Sequence, residues 1–174
     1  MVRIMLWTMA AWLCALPAGA RPQNLILAPQ SAQIGFRAYG FGIAAIDGTF
    51  TRFNGRLIID SADPSVCEVD IQADAASLQM PDPDMTQNAL GADLLDVARY
   101  PVFAFTGICR DGQVRGTLSL HGVSRPLALD ISRANNQWIA TGRMHRAEWG
   151  MSARPLLVGP EVRIRFTAAL PAAQ

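Results

Sequence analysis

Apolar residues at every second position dominate this chain, and that period confines it to β-strands with one dry face. Between Gln33 and Tyr39, Ile34, Phe36 and Ala38 alternate with Gly35 and Arg37. Phe53, Gly55, Leu57 and Ile59 share a face in the next run, and Cys67, Val69, Ile71 and Ala73 oppose Glu68, Asp70, Gln72 and Asp74 in the one after. Phe103, Phe105, Gly107 and Cys109 continue the pattern. So do Leu118 and Leu120, then Leu127, Leu129 and Ile131, and finally Val162, Ile164, Phe166 and Ala168. Turn residues fall between the runs at short intervals: Asp63 and Pro64, Asp111 and Gly112, His121 and Gly122, Asn135 and Asn136, Gly159 and Pro160. Short connections favour antiparallel pairing, and no long helical period stands between runs to build a parallel βαβ sheet. The stretch from Ser77 to Pro101 breaks the rule and reads as a loop, with a short helix expected near Gln87 to Leu95. The period alone leaves open whether the sheet closes into a barrel or packs on a second sheet; closure removes exposed edges and favours the barrel.

The N-terminus reads as an export signal. A positive start, MVR, precedes an apolar run from Ile4 to Leu16, then Pro17 and the small residues Ala18, Gly19 and Ala20. That is the order of a secretory signal peptide over residues 1–20, and the run is shorter than the roughly 20 apolar residues of a membrane span. Cys14 follows Trp12 and Leu13, where a lipoprotein signal wants small residues. The expectation is one domain, residues 21–174, in the periplasm or secreted. The chain has 15 basic residues, every one arginine, and 14 acidic ones; Arg3 leaves with the peptide and the rest balance. A balanced surface offers no footprint for nucleic acid or an anionic membrane, and no second span is present.

Cys67 and Cys109 remain after export, too far apart for a CxxC motif. In an oxidising compartment such a pair favours a disulfide. If the strands around Ile71 and Phe105 are antiparallel neighbours, pairing Ala73 with Phe103 sets Cys67 opposite Cys109; two buried free thiols are the alternative. Signals for catalysis are weak. His121 and His145 sit in no HExxH spacing, no GxSxG elbow occurs, and Ser119, His121 and Ser124 are neighbours only in sequence. Asp82, Asp84, Asp93 and Asp96 suit a cation, an acid/base pair or a solvated loop with one aspartate capping the short helix. No metal or cofactor is expected.

Several ordered segments carry a family resemblance: IGFRAYGFGIAAIDGTFTRFNGRLIID, ADLLDVARYPVFAFTG, GTLSLHGVSRPLALDI, and GRMHRAEWGM followed by LVGPEVRIRFTAAL. Together, from about Ser31 to Leu170, they resemble the YceI-like, lipid- or polyisoprenoid-binding family. The resemblance implies an all-β fold, an eight-stranded antiparallel lipocalin-like barrel with one long loop and short helix inserted, and an elongated pocket for an isoprenoid tail. Members of that family often carry a histidine shortly after the first strand, where this chain has Tyr39.

An inward parity then places Ile34, Phe36, Phe53, Leu57, Val69, Ile71, Phe103 and Phe105 on the pocket wall, with Leu118, Leu120, Leu127, Leu129, Trp138, Met144, Ile164 and Phe166. Small residues at Ala38, Gly55, Ala73, Gly107, Ala140 and Gly142 either leave room for a guest or serve barrel twist and close packing. Arg146, in the family-like stretch, either reaches a ligand headgroup or pairs with a carboxylate while Trp149 plugs one end and Gly150 makes a bend. The expected function is an exported carrier or sequestering protein for a polyisoprenoid, quinone tail or similar long-chain lipid. A small hydrolase or isomerase acting on an apolar substrate in the same barrel is the alternative. The oligomeric state stays open, a homodimer included.

Overall fold

The computed structural model describes residues 22–41, 43–60, 66–154 and 157–170. The expected signal peptide and the turn at Asp63 and Pro64 lie outside the described residues. Eleven strands form one antiparallel sheet: β1 (Pro22–Leu27), β2 (Ala32–Gly40), β3 (Ala44–Phe50), β4 (Phe53–Asp60), β5 (Cys67–Asp74), β6 (Leu78–Gln79), β7 (Val102–Arg110), β8 (Gln113–Leu120), β9 (Val123–Ala134), β10 (Gln137–His145) and β11 (Glu161–Ala169). Among the described residues no helix is long and apolar enough to cross a membrane.

The count differs from the expected eight for a physical reason. β3 and β4 are one long strand that changes partner at Thr51 and Arg52: β3 pairs with β2, whereas β4 pairs with β5. Counting β3 and β4 together and setting aside the flanking β1 and β6, eight strands follow one another around a ring, β2, β3/β4, β5, β7, β8, β9, β10, β11 and back to β2. β1 takes the side of β4 that β2 leaves, and β6 takes the side of β3 that β5 leaves. Each edge created by the switch is therefore covered, which blunts edge-to-edge aggregation. Phe50 and Phe53 both turn toward the core, so the two-residue period slips between them, as it does at a bulge.

Side chains lock this seam. Arg52 Nε and Nη2 donate to Asp74 Oδ2 at 2.9 and 2.7 Å, while Asp74 Oδ1 accepts from Ala76 N–H at 2.8 Å and so caps the 3₁₀ turn Ala75–Ser77. Thr51 N–H donates to the Ser77 carbonyl, and Ser77 Oγ donates to that of Asp74. Arg52 beside it holds the Asp74 carboxyl below the usual carboxylate range.

Three hairpins turn on pairs with positive φ: Asp111 and Gly112, His121 and Gly122, Asn135 and Asn136. These are the two-residue turns whose twist matches antiparallel strands. The helix lies earlier than expected: α1 spans Pro83–Leu90 rather than Gln87 to Leu95. Asp82 starts it, accepting from Asp84 N–H and Met85 N–H, Pro83 fits its first turn, and Gly91 ends it.

Ala73 faces Phe103, and in that register Cys67 and Cys109 form a disulfide with Cα atoms 4.7 Å apart. Ile59, opposite Cys67, and Val114, opposite Cys109, are buried beside it. Replacing both cysteines by alanine should lower stability by about 4 kcal/mol in the chain-entropy view of a crosslink spanning 42 residues. Denaturant titration of the two proteins measures the difference.

Asp74→Ala should cost about 1 kcal/mol at neutral pH through the lost cap, lowering Tm by a few degrees. The carboxyl's folded value is depressed, so its contribution is full above the ordinary value of 3.8 and lost as pH falls through the lower folded value. Melting curves of wild type and variant should therefore converge as pH falls well below 3.8.

Candidate functional site

Inside the ring lies a cavity of about 720 Å³, within the size range of pockets for small organic ligands. Ile34 and Phe36 from β2, Val69 and Ile71 from β5, and Phe103 and Phe105 from β7 stand on its wall. Leu118 and Leu120 from β8, Leu127 and Leu129 from β9, Trp138 and Met144 from β10, and Ile164 and Phe166 from β11 stand there too, and β3 adds Ala44, Ala45, Ile46 and Asp47. Strands put alternate residues on one face, so a parity read from sequence becomes a wall once the ring closes. Phe53 and Leu57 share that parity but do not border the cavity. Leu57 is packed between Leu25 of β1 and Val69 of β5 and is fully buried.

The small residues divide as well. Ala38 and Ala140 border the cavity. At Gly55 a Cβ would run into the Asp70 carbonyl oxygen, and at Gly142 it would meet Leu129 Cδ2 at 2.5 Å, so these two glycines serve close strand packing.

The stretch read as a loop supplies wall residues that the alternation did not reveal: Leu78, Met80, Met85, Leu94 and Leu95. Phe50 joins them, edge-on to Phe103 with ring centroids 4.7 Å apart. Val114 was legible, lying on the parity of Leu118, four positions on. The mouth opens between the β2–β3 hairpin, α1 and the segment around Leu157. Phe41, Met85 and Leu157 of the lining expose large apolar side chains.

The charged and amide residues on the lining are Asp47, Asp82, Asn88, Arg146 and Arg154. Tyr39 points away from the cavity, its ring beneath the Arg163 guanidinium at 5.3 Å. Trp138 is buried, and its Nε1–H has no hydrogen-bond partner among the described residues. Trp149 is also buried and donates from Nε1 to the Leu118 carbonyl at 3.1 Å, and Gly150 turns the chain at φ 79°.

Arg146 corrects one expectation: it pairs with no carboxylate among the described residues. Its Nε donates to the Gly159 carbonyl at 3.0 Å, Nη1 to those of Met151 and Ala153, and Nη2 to that of Val158 at 2.9 Å. Burial pushes the guanidinium below its ordinary value, yet an arginine stays charged at neutral pH. Arg154, the other arginine on the lining, is paired with Asp93 Oδ2 at 2.8 Å.

Ser119 and Ser124 bond each other across a strand pair, 2.7 Å apart, and His121 Nδ1 lies 3.1 Å from the Trp149 carbonyl. His145 ends β10 and is exposed. Of the loop aspartates, Asp82 caps α1 and Asp93 pairs with Arg154. Among the described residues no group of three or more His, Cys, Asp or Glu is placed to hold a metal ion.

An antiparallel sheet curled into a ring around an apolar cavity defines an all-β barrel class of protein. The chain belongs to the YceI-like family, whose domain model matches residues 26–170. It is 28% identical over 117 residues to Protein YceI of Escherichia coli and 29% identical to a UPF0312 protein of Enterobacter; each match covers 63% of this chain and 61% of the relative. The chain thus matches about three fifths of the length of these relatives. Its fold is that of BcnA from Burkholderia cenocepacia (TM-score 0.65, 17% identity, 78% of this chain and 94% of the other). It is also that of a polyisoprenoid binding domain from Saccharophagus degradans implicated in plant cell wall breakdown (TM-score 0.59, 17% identity, 84% and 98%).

If the cavity is open space, a charge on its wall is tolerated better than one in packed core, because water can enter beside it. Ile164 is half-buried on the cavity wall, whereas Leu57 is fully packed. Ile164→Glu should leave a folded barrel, and Leu57→Glu should lower stability by several kcal/mol or unfold it. Circular dichroism melting of the pair reads this directly; equal losses would mean a filled interior.

Proposed function

We propose that the protein holds a long apolar lipid chain, of the polyisoprenoid or similar class, inside the barrel and carries or sequesters it outside the cytoplasm. The observation that carries this reading is the cavity of about 720 Å³, walled mostly by aliphatic and aromatic side chains. An eight-stranded ring suits a slender guest, since eight strands leave room for little more than one chain. Each buried CH₂ contributes about 0.8 kcal/mol, so a five-carbon unit contributes roughly 3 kcal/mol before costs, and a few units offset the lost freedom of the guest. The S. degradans relative is itself named for polyisoprenoid binding, which supports the same ligand class here. The signal-like N-terminus and the Cys67–Cys109 disulfide both fit an oxidising, periplasmic or secreted setting.

The pocket residues act in this reading as wall, with no covalent step. Protein purified without detergent should release a long-chain apolar compound on solvent extraction, near one per chain by mass spectrometry. A preparation that carries none, and takes up none when chains are offered, would overturn the reading.

A further inference from the structure

The segment joining β2 to β3 turns two large apolar side chains to solvent. Phe41 is 74% exposed, and Ile43, two residues on, is 87% exposed. Phe41 also sits at φ 49°, in the left-handed region that a bulky side chain rarely adopts and that asparagine or glycine occupies with less strain. Exposure of the ring and strain of the backbone both disfavour phenylalanine at this turn, so the fold alone does not account for it. Its N–H donates to the Leu157 carbonyl at 3.3 Å, which sets it beside a third exposed apolar residue.

The patch is continuous with the cavity: Phe41, Leu157 and Met85 of α1 belong both to the exposed surface and to the lining. It is also small. Leu157 and Met85 are each 45% exposed. Together with Phe41 and Ile43 they offer an apolar area on the order of 500 Å². A stable protein–protein interface takes roughly 800 Å² from each partner. A lipid surface demands no shape complementarity and accepts a few apolar side chains on an exposed turn. Nor do the neighbouring charges call for anionic lipid, since Arg154 is paired with Asp93 and Asp47 with Arg37.

We propose that the turn carrying Phe41 and Ile43 inserts into the surface of a lipid bilayer and docks the cavity against it, so that an apolar chain passes between membrane and barrel without crossing water. The transfer of a chain rests on the apolar-chain reading, whereas docking is read from the surface alone. Insertion of this kind draws on buried apolar area, so it is reversible and depends little on salt or on headgroup charge.

Flotation with vesicles of phosphatidylcholine alone, and of phosphatidylcholine with phosphatidylglycerol, tests this at about 0.15 M and about 1 M salt. Wild type should float with both kinds of vesicle at both salts. The double variant Phe41→Asn/Ile43→Asn places a residue suited to positive φ at the turn, and should fold and bind at least about tenfold more weakly. Wild type that stays in the buffer, floats only with the anionic vesicles or is released by salt overturns the proposal, as does undiminished binding by the variant. A wild-type dimer that the variant dissolves overturns it too, because the patch is then a contact between copies. Should the double variant fail to fold, Phe41→Trp decides: its emission, over the wild-type background of buried Trp138 and Trp149, should move to shorter wavelength with phosphatidylcholine vesicles. An unmoved emission overturns the proposal. Solvent extraction of the same wild-type preparation separates the two readings: a bound chain without flotation overturns docking alone, and flotation without a chain supports docking while the apolar-chain reading fails.

Discussion

The architecture depends on one strand leaving one neighbour and taking another. At Thr51 and Arg52 the chain between β2 and β5 slips its side-chain period, so that Phe50 and Phe53 both face inward. Without that switch the sheet would be an open ribbon with two long edges. With it the ring closes covalently, and short β1 and β6 cover the edges left over. The ion pair of Arg52 with Asp74 and the hydrogen bonds of Ser77 hold the two halves of the seam in register.

Closure alone does not make a cavity, because eight strands can be filled solidly by side chains. Here one end is filled. Leu57 packs under β1, and the Cys67–Cys109 link stands beside it. The other end is held open by a frame rather than by packing. The Arg146 guanidinium gathers four carbonyls of the 151–159 segment, Trp149 anchors to the Leu118 carbonyl, and α1 stands opposite. Polar side chains hold the shape where the barrel opens.

Much of the wall was legible because a strand has a fixed period. Once Ile71, Phe105 or Phe166 is known to face inward, its neighbours two residues away follow. The Ala73–Phe103 register and the cysteine pairing followed in the same way from two parities and one antiparallel assumption. Leu78, Met80, Met85, Leu94 and Leu95 were not legible, since their stretch has no period and its folding over the mouth depends on long-range contact. The helix was misplaced toward its apolar end, although Asp82, Pro83 and Gly91 carried the capping signal that sets its true bounds.

By itself, the sequence determined the strand period, the hairpin turns and the face each residue takes, because these are local consequences of backbone geometry and turn chemistry. Tertiary structure decided the rest. Phe53 and Leu57 have the parity of cavity residues and still fall outside it, because depth along the barrel is set by strand tilt and by what β1 covers. Arg146 looked like half of an ion pair and is instead a cation among carbonyls, because its partners come from a segment that reaches it only when the barrel mouth is built. Alternation names a face; only packing of the whole ring decides whether that face meets another side chain or open space.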